Sequence, residues 1–123
     1  MKKELILNIS FPSLNEYINL ERSNKFAAAQ MKKSKTQSVA YLAIAQKFQL
    51  EDKKYNVHIT WYKPNAKKDH DNIAFAKKFV LDGLVLAKIL KSDSPKFINN
   101  FSDDFIIDKT RDYVSCKVVF NLV

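Results

Sequence analysis

Along residues 4 to 11 apolar and polar side chains alternate, with Leu5, Leu7, Ile9 and Phe11 on one side. A period of two is the signature of a half-buried strand. Pro12 ends it, and PSLNEYINLERSN reads as an irregular stretch. Ser23 or Asn24 then offers an N-cap to a helix from about Phe26 to Phe48. Its apolar positions, Ala27, Met31, Ala40, Ile44 and Phe48 among them, are interleaved with Lys32, Lys33 and Lys35, giving a packing face and a basic face. Tyr55, Val57, Ile59 and Trp61 alternate with Asn56, His58, Thr60 and Tyr62, predicting a second strand with one buried side. The apolar run from Ile73 to Leu90 is too long for a strand and recurs at helical spacing, so it reads as the most buried helix, with Pro95 marking its exit. FIIDK and YVSCKVVFNLV supply two further strands, the second with Val114, Cys116, Val118, Phe120 and Leu122 inward.

This order predicts an α+β fold, two helices packed on a mixed β-sheet, as a single domain over residues 1–123. Repeats, low-complexity tracts and Pro/Gly-rich linkers are absent from the sequence, and Gly83 is the only glycine. A chain of 123 residues buries enough apolar surface to stand without disulfides or a zinc staple. Cys116, alone, excludes an internal disulfide and a multi-cysteine metal site, reads as a core residue, and fits a reducing cytoplasm. Glu4, Asn8 and Ser10 interrupt the apolar start too early for a signal-peptide core, and no segment approaches the roughly 20 apolar residues of a membrane span. The expectation is a soluble cytoplasmic protein with no membrane partner.

Charge narrows the partners. Lysine and arginine number 21 against 13 acids, a net charge of +8, which should attract polyanions, nucleic acid above all. Only Arg22 and Arg111 are arginines. Lysine is a point charge suited to phosphate rather than a fork that reads guanine edges, so backbone contact is expected. Arg22, Lys25, Lys32, Lys33 and Lys35 are candidates for a DNA-contact surface or for a hydrated helix face.

Against that background KKDHDNIAFAKK, Lys67 to Lys78, sets Asp69 and Asp71 between two lysine pairs, at the junction of the second strand and the apolar helix. One aspartate before a helix is an N-cap. Two at i and i+2 exceed capping and repel each other unless a cation bridges them, as magnesium would. The local sequence leaves capping and metal binding both open. In helical projection Lys78 lies roughly 20° from Asp71 and Asp82 roughly 20° to the other side, so three charged groups share a stripe that must face solvent, a cleft or a partner. Lys78 and Asp82 also suit a surface ion pair, and Asp93 a turn after the helix. His70 and His58 read as solvent-facing, and no Ser/His/Asp or Cys/His set stands out.

DHDN, a lysine, an aspartate four residues on and another eleven beyond that resemble the RusA family of Holliday junction resolvases, small phage- and prophage-borne endonucleases. The likeness runs over nearly the whole chain and includes FPSLNEYI, which is similar to the family's early proline, serine and asparagine segment. The resemblance implies a RusA-like homodimer that cuts branched double-stranded DNA with Mg2+, for which Mn2+ substitutes. It implies Asp69, Asp71 and Asp93 as metal ligands and catalytic acids, with Lys78 as the catalytic lysine that stabilises charge on the phosphate. Relatives closest to the prototype place this lysine about one turn after the second acid, where Phe75 stands here. FSDDF, with Asp103 and Asp104, competes with Asp93 for the third carboxylate. Lys67, Lys68 and Lys77 would offset the acids and draw the DNA backbone in. The main alternative is a phage DNA-binding module that keeps the fold without cleaving; a third is a metal-independent scaffold.

Overall fold

In the computed structural model, which describes residues 2–123, the chain runs β1 (Lys2–Leu7), α1 (Leu14–Ser23), α2 (Lys25–Ala45), β2 (Tyr55–Lys63), α3 (His70–Ala74), α4 (Lys77–Leu86), β3 (Ile98–Ile107) and β4 (Ser115–Leu122). The strands form one mixed sheet in the order β1-β4-β2-β3. β4 pairs antiparallel with both β1 and β2, while β2 and β3 are parallel. A parallel pair needs a crossover connection, and α3 and α4 supply it. The α+β expectation therefore holds.

Alternation along the strands puts Leu5, Leu7, Tyr55, Val57, Ile59, Trp61, Cys116, Val118 and Phe120 into one buried cluster with Val39 and Ala43 of α2 and Phe79, Val80 and Leu84 of α4. Where α2 and α4 cross, Gly83 meets Val39: a Cβ there would lie 2.5 Å from Val39 Cγ1 and 3.0 Å from the Thr36 carbonyl oxygen. The two helices approach this closely because Gly83 has no side chain.

Three elements differ from expectation. PSLNEYINLERSN, expected to be irregular, carries α1. The Ser13 hydroxyl accepts from the Glu16 amide at 3.3 Å, and the Glu16 carboxylate accepts from the Ser13 amide at 3.2 Å, a reciprocal box that satisfies the helix start. α1 buries no residue, which is why its apolar period is faint. The single helix expected from Ile73 to Leu90 is divided. Ala76 and Lys78 amides bond back only three residues, to the carbonyls of Ile73 and Phe75, so α3 passes into α4 through a tightened turn. α4 then ends at Leu86, with the Lys88 amide on the Val85 carbonyl, the Ile89 amide on the Leu84 carbonyl, and Lys88 left-handed at φ 60°. Finally, β3 begins at Ile98, well before FIIDK. Its polar first half, INNFSDD, is an edge strand held by pairing to β2, so burial imposes little alternation on it.

Candidate active site

α3 begins at the acidic pair. Asp69 occupies the N-cap position, in extended conformation, but its side chain makes no capping bond. Asp71 Oδ1 accepts from the Asn72 amide at 2.9 Å, and Asn72 Oδ1 accepts from the Asn15 amide at 2.9 Å, tying α3 to the start of α1. Among the described residues neither Asp69 nor Asp71 has an ion-pair partner. Both face a hollow of about 490 Å³ shared with Lys63, Lys68, His70 and Phe105. The His70 ring lies flat on Phe105, centroids 3.9 Å apart and planes 7° from parallel. His70 is exposed, as expected, and uses Phe105 of β3 as a platform for one ring face.

Lys78 belongs to a second set. Its ammonium lies 3.4 Å from Asp82 Oδ1 and 3.7 Å from Asp93 Oδ2. Asp82 foremost, by charge and hydrogen bonding, and then Asp93 raise the Lys78 pKa above the ordinary lysine value. The reversal after α4 carries Asp93 back along the helix to this point. Asp71 does not join the Lys78 stripe through an ion pair. The tightened turn at Ala76 advances the chain by about 120° per residue in place of about 100°, which removes the projection expected for one continuous helix.

Among the described residues no group of three or more His, Cys, Asp and Glu side chains is gathered closely enough to hold a metal ion. Asp69 and Asp71 thus stand as a pair, and Asp93 is engaged with Lys78. The competing acids are occupied elsewhere. Asp103 accepts from Trp61 Nε1 at 2.9 Å and pairs with Lys77 at 2.9 Å, both side chains of that ion pair being 21% exposed. Asp104 points to the opposite face of β3, where it meets His58 Nε2 at 3.0 Å.

The expected DNA-contact residues separate in the same way. Lys77 is committed to Asp103 and lies 4.8 Å over the Phe101 ring, and Lys68 is paired with Glu16. Burial raises the Glu16 pKa, but Lys68 and Ser13 outweigh it and leave the carboxyl below its ordinary value. Lys25, Lys32 and Lys33 line a groove with Tyr17, Glu21 and Asp82, so the basic face of α2 runs up to the Lys78 set. Arg22 and Lys67 are exposed.

Three features went unread in the sequence. Lys63 continues the inward register of Tyr55, Val57, Ile59 and Trp61 and is 5% exposed; a lysine on the apolar side of a strand was the available signal. Glu16 answers Ser13 at the spacing of a capping box. His58 also brings Ser102 and Asp104 together, with Ser102 Oγ 2.6 Å from Nδ1. No sequence spacing announced that set, because it spans two strands. Its aspartate side chain is 69% exposed, unlike the buried orienting acid of a nucleophilic triad, and the set ties the edge strand to its neighbour.

Compared with models of known protein families and with curated proteins, the chain matches none.

Proposed function

We propose that this chain is a magnesium-dependent, structure-selective DNA endonuclease of the RusA type, acting on four-way junctions as a homodimer. One observation carries the reading: on a chain of net charge +8, two adjacent carboxylates at the start of a helix face an open hollow without a cationic partner, with lysines on its rim. The Asp69 side chain is not consumed by capping. The pair is the donor set that Mg2+ takes, one or two carboxylates with water and phosphate oxygens completing the shell. Bound between Asp69 and Asp71, the ion would supply hydroxide near neutral pH and neutralise developing charge.

The chain's own residues do the rest. Lys25, Lys32, Lys33, Lys67 and Arg22 attract and align the backbone. Asp82 and Asp93 fix the Lys78 ammonium, 3.4 and 3.7 Å from their carboxylate oxygens, and in this reading it stabilises charge on a phosphate oxygen. In this reading Asp93 also positions Lys78. Two copies are needed for two symmetric nicks.

The want of a third gathered acid among the described residues favours one other reading, a DNA-binding protein of the same architecture that does not cleave. A synthetic junction incubated with Mg2+, and then with EDTA, separates them. The nuclease reading expects nicks that EDTA stops, and an Asp71→Asn variant that binds the junction at least as tightly but has lost at least about a hundredfold in cleavage rate, of the order seen when an electrostatic catalytic group is removed. Tight binding with no nicking by the wild-type chain supports the second reading; undiminished nicking by Asp71→Asn rules out the acidic pair.

A further inference from the structure

Sharing Lys63 and Lys68 with the hollow of the acidic pair is a cavity of about 460 Å³, within the ~300–1,000 Å³ range of small-molecule sites. Four lysines line it, Lys35, Lys63, Lys67 and Lys68, against two acids, Glu16 and Asp112. Glu16 is committed to Lys68. Among the described residues Lys35, Lys63 and Lys67 have no carboxylate partner. Lys63 is the informative one: 5% exposed, with its ammonium donating to the Lys68 carbonyl at 3.0 Å. A buried ammonium without a counter-ion is expensive unless something anionic completes it.

The lining also has an apolar and aromatic part, Phe11, Pro12, Pro64 and Tyr113. Tyr113 donates its hydroxyl to the Asn8 carbonyl at 3.2 Å, which fixes the ring, yet the residue remains 41% exposed. A held and accessible aromatic face is what a planar base stacks on.

We propose that this cavity takes one unstacked nucleotide of a DNA strand, its phosphate on Lys63, Lys35 and Lys67 and its base against Tyr113. The proposal rests on the nuclease reading for the source of the nucleotide. The chemistry recognised, a phosphate beside a planar base, is shared by a free nucleoside monophosphate. Three ammoniums match the several oxygens of a phosphate better than the two of a single carboxylate. Lys63 and Lys68 line both this cavity and the hollow of Asp69 and Asp71, so a nucleotide held here sets a neighbouring phosphodiester against the acidic pair. The cavity thereby selects DNA in which a nucleotide leaves the stack at low cost, as where pairing is interrupted.

Amide shifts of the labelled chain are followed during titration with thymidine 5′-monophosphate, thymidine, inorganic phosphate, and single-stranded and duplex thymidine-containing oligonucleotides of equal length. The expected result is saturable shifts at Lys67, Tyr113 and Val114 with the monophosphate, and at least tenfold weaker binding of thymidine and of phosphate alone. The single strand is expected to bind at least tenfold more tightly than the monophosphate and than the duplex. Lys63→Met weakens the monophosphate at least tenfold; should that variant not fold, Lys35→Gln with Lys67→Gln, at less buried positions, is expected to do the same. Absence of saturation, or binding unchanged in these variants, overturns the site. A strand no tighter than the monophosphate overturns the strand as its source. Junction nicking by the wild type with no nucleotide shifts removes the cavity and leaves the nuclease; nucleotide shifts without nicking remove the nuclease and leave the cavity as a nucleotide site.

Discussion

Cys116 is 1% exposed on the covered face of β4, and burial pushes its thiol pKa well above the ordinary range. A thiol in that state offers neither a thiolate nor a path to reagent. Native protein is expected to leave Cys116 unmodified by iodoacetamide over hours at pH 8 and to become fully modified in denaturant, read by intact mass; rapid native labelling would place the residue outside the core. Neighbouring lysines show the converse, that identical side chains acquire different chemistry from their partners. Lys77 is locked between Asp103 and the Phe101 ring, whereas Lys78, one residue on, stands more exposed between Asp82 and Asp93. Much at this scale was legible: Cys116 as core from its strand register, Asp71 and Asp69 as a pair exceeding capping, Lys78 and Asp82 from their spacing of four. Lys63 was legible as well, since alternation points it inward with Trp61.

The helices explain how these residues meet. α2 and α4 cross at Gly83 and Val39, where an added methyl has no room. Gly83→Ala gains helix propensity of up to about 1 kcal/mol but collides with a β-branched side chain and a backbone carbonyl, and overpacking costs about 1–3 kcal/mol. The collision is with Cβ as well as Cγ1 of Val39, so the loss wins. Chemical denaturation is expected to show a net destabilisation of about 1–2 kcal/mol, partly relieved by Val39→Ala in the same chain. Both α2 and α4 end on left-handed lysines, Lys47 at φ 56° and Lys88 at φ 60°, where a Cβ is strained by roughly 1–2 kcal/mol. Lys88→Gly relieves that strain against the greater freedom of glycine in the unfolded chain and a lost charge at a helix C-terminus. Its expected gain is about 0.5 kcal/mol, seen as a raised denaturation midpoint with unchanged slope. β1 meanwhile has its outer edge capped at Ile6: the Gln46 side chain accepts from the Ile6 amide at 3.2 Å and donates to the Ile6 carbonyl at 2.6 Å, standing in there for a further strand.

For the molecule as a whole, no helix among the described residues is long and apolar enough to cross a membrane, and the net charge of +8 governs what approaches it. Of the residues expected at DNA, Lys68 and Lys77 are neutralised internally, which leaves Arg22, Lys25, Lys32, Lys33, Lys35 and Lys67 without an ion-pair partner among the described residues. Six released counterions correspond to a slope of about −5.4 in log affinity against log salt, or a loss of roughly 2,000-fold between about 50 and 200 mM. Replacing Lys25, Lys32 and Lys33 by glutamine is expected to lessen the slope by about 3 on junction and linear duplex alike. A slope near zero in the wild type would remove DNA backbone from the proposal.

The periods of two and 3.6 in the sequence determined the α+β class, the covered faces of β1, β2 and β4 and the burial of Cys116, because periodicity is a local record of which side of an element leaves water. Ser13 and Glu16 likewise encode α1 within four residues. Partner choice was decided by the tertiary structure alone. Asp93 reaches Lys78 only because the chain reverses after α4, Lys77 finds Asp103 only because β3 lies parallel to β2, and Lys68 finds Glu16 only because α1 packs against α3 and the segment leading into it. Charge interactions fall off with distance in space, and distance in space between residues far apart in sequence is set by the packing of whole elements.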